Sequence, residues 1–299
     1  MVKSKTIKRN FNKKRKKISA FGCMLTLLVL LLTIVTLYPI MNVLSNSFSS
    51  LEHIIKQDVG FFPKSFTFDS YKLLFRTNDI WIAYKNTIIY TTLGTSISLL
   101  VTIPVAFACS QKNFYFRRIV LWIIMFTMFF GGGLIPTYIL IDTLHMFNTP
   151  WAIVLPNAVV PSYVILARTY FYSLPASLFE SAELDGANEF KKLWYIGFPT
   201  AKPIIAVLAL YLIVNYWNTY YTCMLYLDDA KMHPLQNFLQ KIISSSVQSD
   251  LGGAGGSSAL QVEQLKYSAI VVAMFPIMSI YPFLQKYFVK GIMVGSIKE

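Results

Sequence analysis

Of 299 residues, 55% are hydrophobic and only 14% are charged, and the formal net charge is +13. Charge is absent from long windows, which excludes a soluble globular core and marks a polytopic membrane protein. The densest basic run stands directly before an apolar segment and lacks interleaved aromatics, so it reads as topology and contact with membrane lipid, with no nucleic-acid role.

The first seventeen positions carry Lys3, Lys5, Lys8, Arg9, Lys13, Lys14, Arg15, Lys16 and Lys17 and no acid. Such a run stays on the cytoplasmic side, beside anionic lipid. Residues 1–18 are therefore expected to form a basic cytoplasmic tail, and 19–299 a transmembrane domain. Uncharged stretches follow at 21–44, 86–111, 119–141, 146–167, 203–227 and 267–285. Each is long enough to cross a hydrocarbon core of about 30 Å as a helix of roughly 20 residues. A barrel is excluded, because its strands need only about 9 to 11 alternating residues. The first stretch is too long for a cleaved signal and is expected to remain as an anchor.

An even number of spans returns the C-terminus to the cytoplasm. The connectors agree: Lys112, Arg117 and Arg118 fall on an expected inner loop, and the expected outer connector 142–148 has no Lys or Arg. Two long outer loops are expected at 45–85 and 228–266. The first is rich in aromatic residues, with Phe61, Phe62, Phe66, Phe68 and Tyr71, and should pack locally or meet a partner. The second should hold a short helix near Pro234–Ile243 and then a flexible coil from Gly252 to Ser258. Gly131–Gly133, Pro104, Pro156 and Pro161 could bend spans or permit close helix packing, and packing is the favoured reading. Cys23, Cys109 and Cys223 have no metal or redox spacing and read as packing residues.

Catalytic chemistry is not found. There is no Walker sequence, no His-Glu-x-x-His and no Gly-x-Ser-x-Gly, and His53, His145 and His233 are far apart. The chain is read as non-catalytic, with no metal site and no cofactor of its own. The uncharged spans also lack Asp, Glu, Lys, Arg and His, with Asp142 and Arg168 only at their edges. An ion-coupled secondary transporter or channel is the competing reading, yet such carriers commonly hold ionisable groups in the membrane. The driving energy must arrive from another chain.

Residues 175–203 form a charged amphipathic island between two apolar runs, on the expected cytoplasmic side. Pro175 suits a first helical turn, and Ser177 with Glu180 has capping-box spacing, so two registers compete for the helix start. Leu178, Phe179, Ala182 and Ala187 supply apolar positions, and Gly186 is free to break the helix. A second segment from Ala187 to Ile196 adds Phe190, Leu193 and Trp194 before Pro199 and Pro203. Helix, turn, helix against the membrane face is expected.

The pattern Glu180-x-Ala182-x-x-Asp185-Gly186-Ala187, followed by Ile196 and Pro199, resembles the EAA loop of ATP-binding cassette importer permeases of the carbohydrate uptake transporter family 1. Ser181 departs from it, standing where the family has a second alanine. Gly132 to Tyr138, Asn148 to Ala152, Asn215-x-Trp217-Asn218 and Gln285 to Gly291 look like the subgroup that imports complex oligosaccharides. The resemblance implies an all-α integral membrane protein with six transmembrane helices and the type I ABC importer permease fold, in the cytoplasmic membrane of a bacterium. It also implies a second permease subunit, two cytosolic ATP-binding subunits that carry ATP and Mg, and an extracellular solute-binding lipoprotein. Glu180, Ala182, Asp185, Gly186, Ala187, Ile196 and Pro199 would couple to an ATPase, and the tail from Gly291 to Glu299 would reach its interface.

Asn215, Trp217, Asn218 and Tyr220 occupy the expected outer half of the fifth span. Amides and aromatic faces suit sugar rings, whereas an interfacial aromatic belt would use the same Trp and Tyr. The two asparagines, three apart, share a helical face and should meet protein or pore, because an amide in lipid is costly.

Overall fold

The computed structural model describes residues 20–252 and 257–295. The basic N-terminal tail, positions 253–256 of the glycine-rich run and the last residues of the C-terminal tail lie outside the described residues. All described regular structure is helical. In chain order the elements are α1 (Ala20–Ser47), α2 (Leu51–Ile55), α3 (Asp69–Arg76), α4 (Asn78–Ser110), α5 (Arg117–Phe129), α6 (Leu134–Thr143), α7 (Trp151–Val154) and α8 (Pro161–Ser173). They continue with α9 (Ala176–Leu184), α10 (Glu189–Lys192), a π-turn (Leu193–Gly197), α11 (Phe198–Thr200), α12 (Lys202–Trp217), α13 (Tyr221–Tyr226), a 3-10 turn (Ala230–Met232), α14 (Leu235–Gly252) and α15 (Ser257–Gly295).

Three stretches are long and apolar enough to cross a membrane unbroken: Phe21–Ser47, Asn78–Ser110 and Val262–Pro282. The other three expected spans are not single helices. Residues 119–141 are divided between α5 and α6, which meet at 116°. The break falls on the triple glycine, where Gly133 has φ +85 and a Cβ on Gly131 or Gly133 would touch nothing within 4 Å. These glycines do not serve close packing within the chain, contrary to the favoured reading; they permit the bend. The 146–167 run is divided into α7 and α8 by residues 155–160, with Pro156 in the gap and Pro161 at the first turn of α8. The fifth span ends at Trp217 rather than near 227, and α13 follows as a separate helix.

α4 is the axis of the bundle. Thr87, Thr91, Thr95, Ser98 and Thr102 are all buried along it, at helical spacing. The ring of Tyr216 on α12 lies directly over Gly94, where a Cβ would stand 2.5 Å from Cζ. The phenol reaches Ser98 Oγ at 3.2 Å and donates to the Val154 carbonyl at 3.1 Å, so it ties α4 and α12 to the broken end of α7. α1 differs: its side chains from 24 to 40 are exposed, as a helix facing lipid or another subunit requires.

The expected loop 45–85 is ordered and packs on itself. Phe48 lies 5.3 Å from Phe66, 5.6 Å from Phe68 and 5.1 Å from Tyr71, and α2 and α3 frame this cluster. The expected loop 228–266 is mostly helical. The short helix near 234–243 extends to Gly252 as α14, and Ser257 and Ser258 already belong to α15. At about 1.5 Å per residue, the 39 residues of α15 run roughly 58 Å, well beyond a membrane core of about 30 Å.

Candidate functional site

The segment 175–203 folds as two short helices joined by a tight turn. Residue 175 takes the N-cap position with φ −59 and ψ 127. The Ser177–Glu180 capping box does not form, because Ser177 is already helical and its carbonyl accepts from Ser181 Oγ at 2.8 Å. The end of α9 explains the spacing of the motif. Gly186 has φ +77, its N–H donates to the Glu183 carbonyl at 3.0 Å, and the Ala187 N–H donates to the Ala182 carbonyl at 2.9 Å. Together these bonds make a Schellman motif, which needs glycine in the left-handed region and often pairs small or apolar residues where Ala182 and Ala187 stand. Asn188 then caps α10, its Oδ1 accepting from the Lys191 N–H at 2.8 Å.

Phe179 and Leu193 anchor the two helices. Both belong to one buried cluster with Ile103 and Phe107 of α4, Val164 and Phe171 of α8, and Leu208 of α12. The Phe179 ring sits 5.7 Å from Phe107, which sits 5.4 Å from Phe171. A Cβ on Gly197 would stand 3.2 Å from Leu193 and 3.5 Å from Phe107, so the chain is close-packed on α4 there. Ile196 is half-buried against the same cluster. Pro199 is exposed; it cannot donate a backbone hydrogen bond and crowds the carbonyl one turn back, which accords with the widened π-turn just before it. The chain then bends by 77° into α12, and the Tyr170 hydroxyl donates to the Thr200 carbonyl at 2.8 Å at that corner.

Lys192 is an unforeseen component. Only 3% exposed, it places Nζ 2.6 Å from Glu189 Oε1 and 3.5 Å from Glu183 Oε2, linking α10 to α9. The hydrogen bond to Glu189 leads in holding its ammonium above the ordinary lysine range. The opposite face carries exposed apolar side chains: Leu184 is 91% exposed and Phe190 70%, with Phe190 stacked on Trp194 at 6.2 Å. Glu180 and Asp185 are exposed beside them. A cavity of about 440 Å³ lies between Phe114, Phe190 and Leu193, and one of about 330 Å³ lies beside Glu180 and Lys192. The segment therefore exposes apolar side chains among carboxylates, while Phe179 and Leu193 join the buried cluster of the membrane helices.

The residues expected to meet sugar divide. Trp217 is corrected: it is 5% exposed, its Nε1 donates to the Ala273 carbonyl at 3.2 Å, and its ring lies 6.2 Å from Tyr84. It braces α12 against α15, because a buried indole N–H needs an acceptor and finds one there. Asn215 and Asn218 are exposed; Asn218 donates to the Val214 carbonyl at 2.8 Å and accepts from Gln236 Nε2 at 3.2 Å. Tyr220 lies beyond the helix end, on a cavity of about 470 Å³ shared with α4 and α14. Asn237, on the same wall, has a buried Oδ1 without a donor among the described residues. An unmet acceptor of this kind costs about 1–3 kcal/mol. Among the described residues, no group of His, Cys, Asp and Glu could hold a metal ion.

A family model described as "Binding-protein-dependent transport system inner membrane component" matches residues 80–294. The polygalacturonan/rhamnogalacturonan transport system permease protein YtcP of Bacillus subtilis is 33% identical over 272 residues, covering 90% of this chain and 95% of that one. Among solved structures, a chain from a bacterial ABC transporter involved in the import of the acidic polysaccharide alginate superposes with a TM-score of 0.82 at 33% identity. That match covers 90% of this chain and 96% of that chain. A chain from a bacterial alginate ABC transporter in complex with an alginate pentasaccharide-bound periplasmic protein shares the fold alone, at 17% identity and a TM-score of 0.54. With the family model spanning most of its length, the chain belongs to the binding-protein-dependent transport system inner membrane components, as a membrane-embedded permease of the ABC importer fold.

Proposed function

We propose that this chain is one permease subunit of an oligosaccharide importer in the cytoplasmic membrane of a bacterium, with both termini in the cytoplasm. Its partners are a second permease subunit, two cytosolic ATP-binding subunits and an extracellular solute-binding lipoprotein. The chain itself is non-catalytic and binds no cofactor; ATP and Mg belong to the ATPase subunits. The observation that carries this reading is the segment 175–203, which exposes Leu184, Phe190 and Trp194 among carboxylates and is embedded by Phe179 and Leu193 in the core of α4, α8 and α12.

In this reading Leu184, Phe190 and Trp194 enter a groove on one ATPase, while Glu180 and Asp185 set the register at its rim. Ala182, Gly186 and Ala187 hold the turn that fixes the angle between the two helices. Ile196 and Pro199 form the corner through which displacement reaches α12. Closure of the ATPase dimer then moves a packed unit, and the pore switches only if the two ATPase states bind the segment differently. A shift from 1:99 to 99:1 needs about 5.5 kcal/mol of such difference. Asn215, Asn218 and Tyr220 face the sugar path at the outer end, and Trp217 supports them from behind.

Copurification from native membranes, followed by uptake into proteoliposomes, tests the proposal. The chain should bring down an ATPase and a second permease, and uptake should need internal ATP and survive collapse of the ion gradients. Uptake by the chain alone, abolished by an ionophore, would establish a secondary carrier instead.

A further inference from the structure

α4, α12 and α15 converge on one turn of α15. Pro276 lies inside that helix and has no N–H, so the Val272 carbonyl, one turn earlier, loses its helical donor. This turn is part of the apolar stretch Val262–Pro282, where lipid offers no water to satisfy a carbonyl. The Tyr84 hydroxyl of α4 donates to the Val272 carbonyl instead. The next carbonyl, that of Ala273, accepts from the Trp217 indole Nε1 of α12 at 3.2 Å, and Ala273 is 3% exposed. The two donor rings meet edge to face at 6.2 Å, in an apolar cluster shared with Ala269 and Ile277. A proline in a helix does not by itself bring such donors. Pro39 in α1 and Pro104 in α4 free the Val35 and Leu100 carbonyls in the same way, and among the described residues no side chain donates to either.

We propose that residues 272–276 are a hinge in α15, held in one setting by Tyr84 and Trp217 as positioning residues, and that α12 works this hinge from the cytoplasmic side. The inference rests on the importer reading above and adds the joint that moves. α12 begins after the 77° corner at Thr200 and ends at Trp217. Its 16 residues make a rod of roughly 24 Å at about 1.5 Å per residue, with the segment 175–203 at one end and the indole donor at the other. Displacement of the corner therefore moves the indole relative to the Ala273 carbonyl. A backbone bond inside a continuous helix breaks only when the helix unwinds, whereas a side-chain donor leaves with the helix that carries it. Tyr84 belongs to α4, the axis of the bundle, so one donor is fixed to the scaffold and the other to the moving rod. Loss of one neutral hydrogen bond changes such an equilibrium about fivefold. That is small against the roughly 10⁴-fold preference needed to reverse a 1:99 population, so the hinge can yield to the ATPase.

Amide hydrogen exchange tests this on the complete importer, with its partner subunits, in phosphatidylcholine nanodiscs, both nucleotide-free and trapped with ATP and vanadate. In the wild type, trapping should change exchange in 175–203 and also at 273–277. W217F should keep the response in 175–203 and reduce that at 273–277 about fivefold, because α12 then moves without the joint. Y84F should speed exchange at 273–277 about fivefold in either state. P276A restores a backbone donor to the Val272 carbonyl, so Y84F should add less than about twofold in that background. A wild-type response in 175–203 with none at 273–277 overturns the hinge and leaves the importer reading standing. The hinge is likewise overturned if W217F transmits fully, or if Y84F acts equally with Pro276 and with P276A. Exchange that responds to ATP in neither segment overturns both readings. The wild-type and W217F comparisons decide the matter if Y84F or P276A fails to assemble.

Discussion

Gly186 permits a graded test of the coupling role proposed for residues 175–203. Its φ of +77 belongs to the left-handed region, and a Cβ added there would meet nothing within 4 Å. The cost of substitution is therefore backbone conformation alone, without a steric clash. Alanine should cost about 1–2 kcal/mol, and asparagine less, because its side chain tolerates this region. Proline cannot reach a positive φ and also removes the N–H that donates to the Glu183 carbonyl at 3.0 Å. Its cost should be about 3 kcal/mol or more. A change of about 1–2 kcal/mol alters the population of the formed turn by roughly 5- to 30-fold. Sugar transported per ATP hydrolysed, measured with the reconstituted complex, should fall in the order Gly, Asn, Ala, Pro. An intact complex in which G186P transports as well as wild type would refute the role of the turn, and alanine outperforming asparagine would refute the conformational account.

Further outcomes follow from the packing. Lys192 is buried while Glu183 and Glu189 are 58% and 62% exposed, so K192M lets both carboxylates return to water and should cost about 1 kcal/mol. E183Q/E189Q leaves an unpaired buried ammonium and should cost about 3 kcal/mol, visible as the larger drop in Tm of the complex. Since the Lys192 pKa is raised above 10.5, its contribution is complete below the free-lysine value and is lost only as pH rises through the folded one; coupling should not change near neutrality on its account. G94A would place its Cβ 2.5 Å from Tyr216 Cζ and should destabilise by about 1–3 kcal/mol, and by clearly less when introduced into a Y216L background, read by thermal unfolding. W217F loses the bond to Ala273 and should lower stability by about 1 kcal/mol without altering the sugar concentration for half-maximal uptake.

Much of the molecule is legible in one dimension. Long windows without charge identify the apolar runs, since lipid excludes unpaired charge and obliges the backbone to satisfy itself. The island 175–203 is legible because Gly186 and the small residues around it are demanded by local geometry: a left-handed turn needs glycine wherever it occurs. Other features depend on partners distant in the chain. Lys192 looks like any surface lysine until α9 and α10 fold together and bring Glu183 to it. Trp217 looks like an interfacial aromatic until the Ala273 carbonyl, 56 residues later, accepts its proton.

The bends divide in the same way. Gly131 to Gly133 and Pro161 mark where helices can break, but glycine permits both a break and a close approach. Only the empty space around Gly131 and Gly133, against the crowding of Gly94 by Tyr216, separates the two. The sequence by itself determined the membrane class, the apolar runs and the location of the helix–turn–helix segment 175–203, because these arise from the solvent preference and local conformation of contiguous residues. Tertiary structure alone decided which helices break, which aromatic side chains brace the bundle, and that Tyr84 and Trp217 reach adjacent carbonyls of α15. Those properties depend on what stands opposite each side chain, and that is set when distant segments pack.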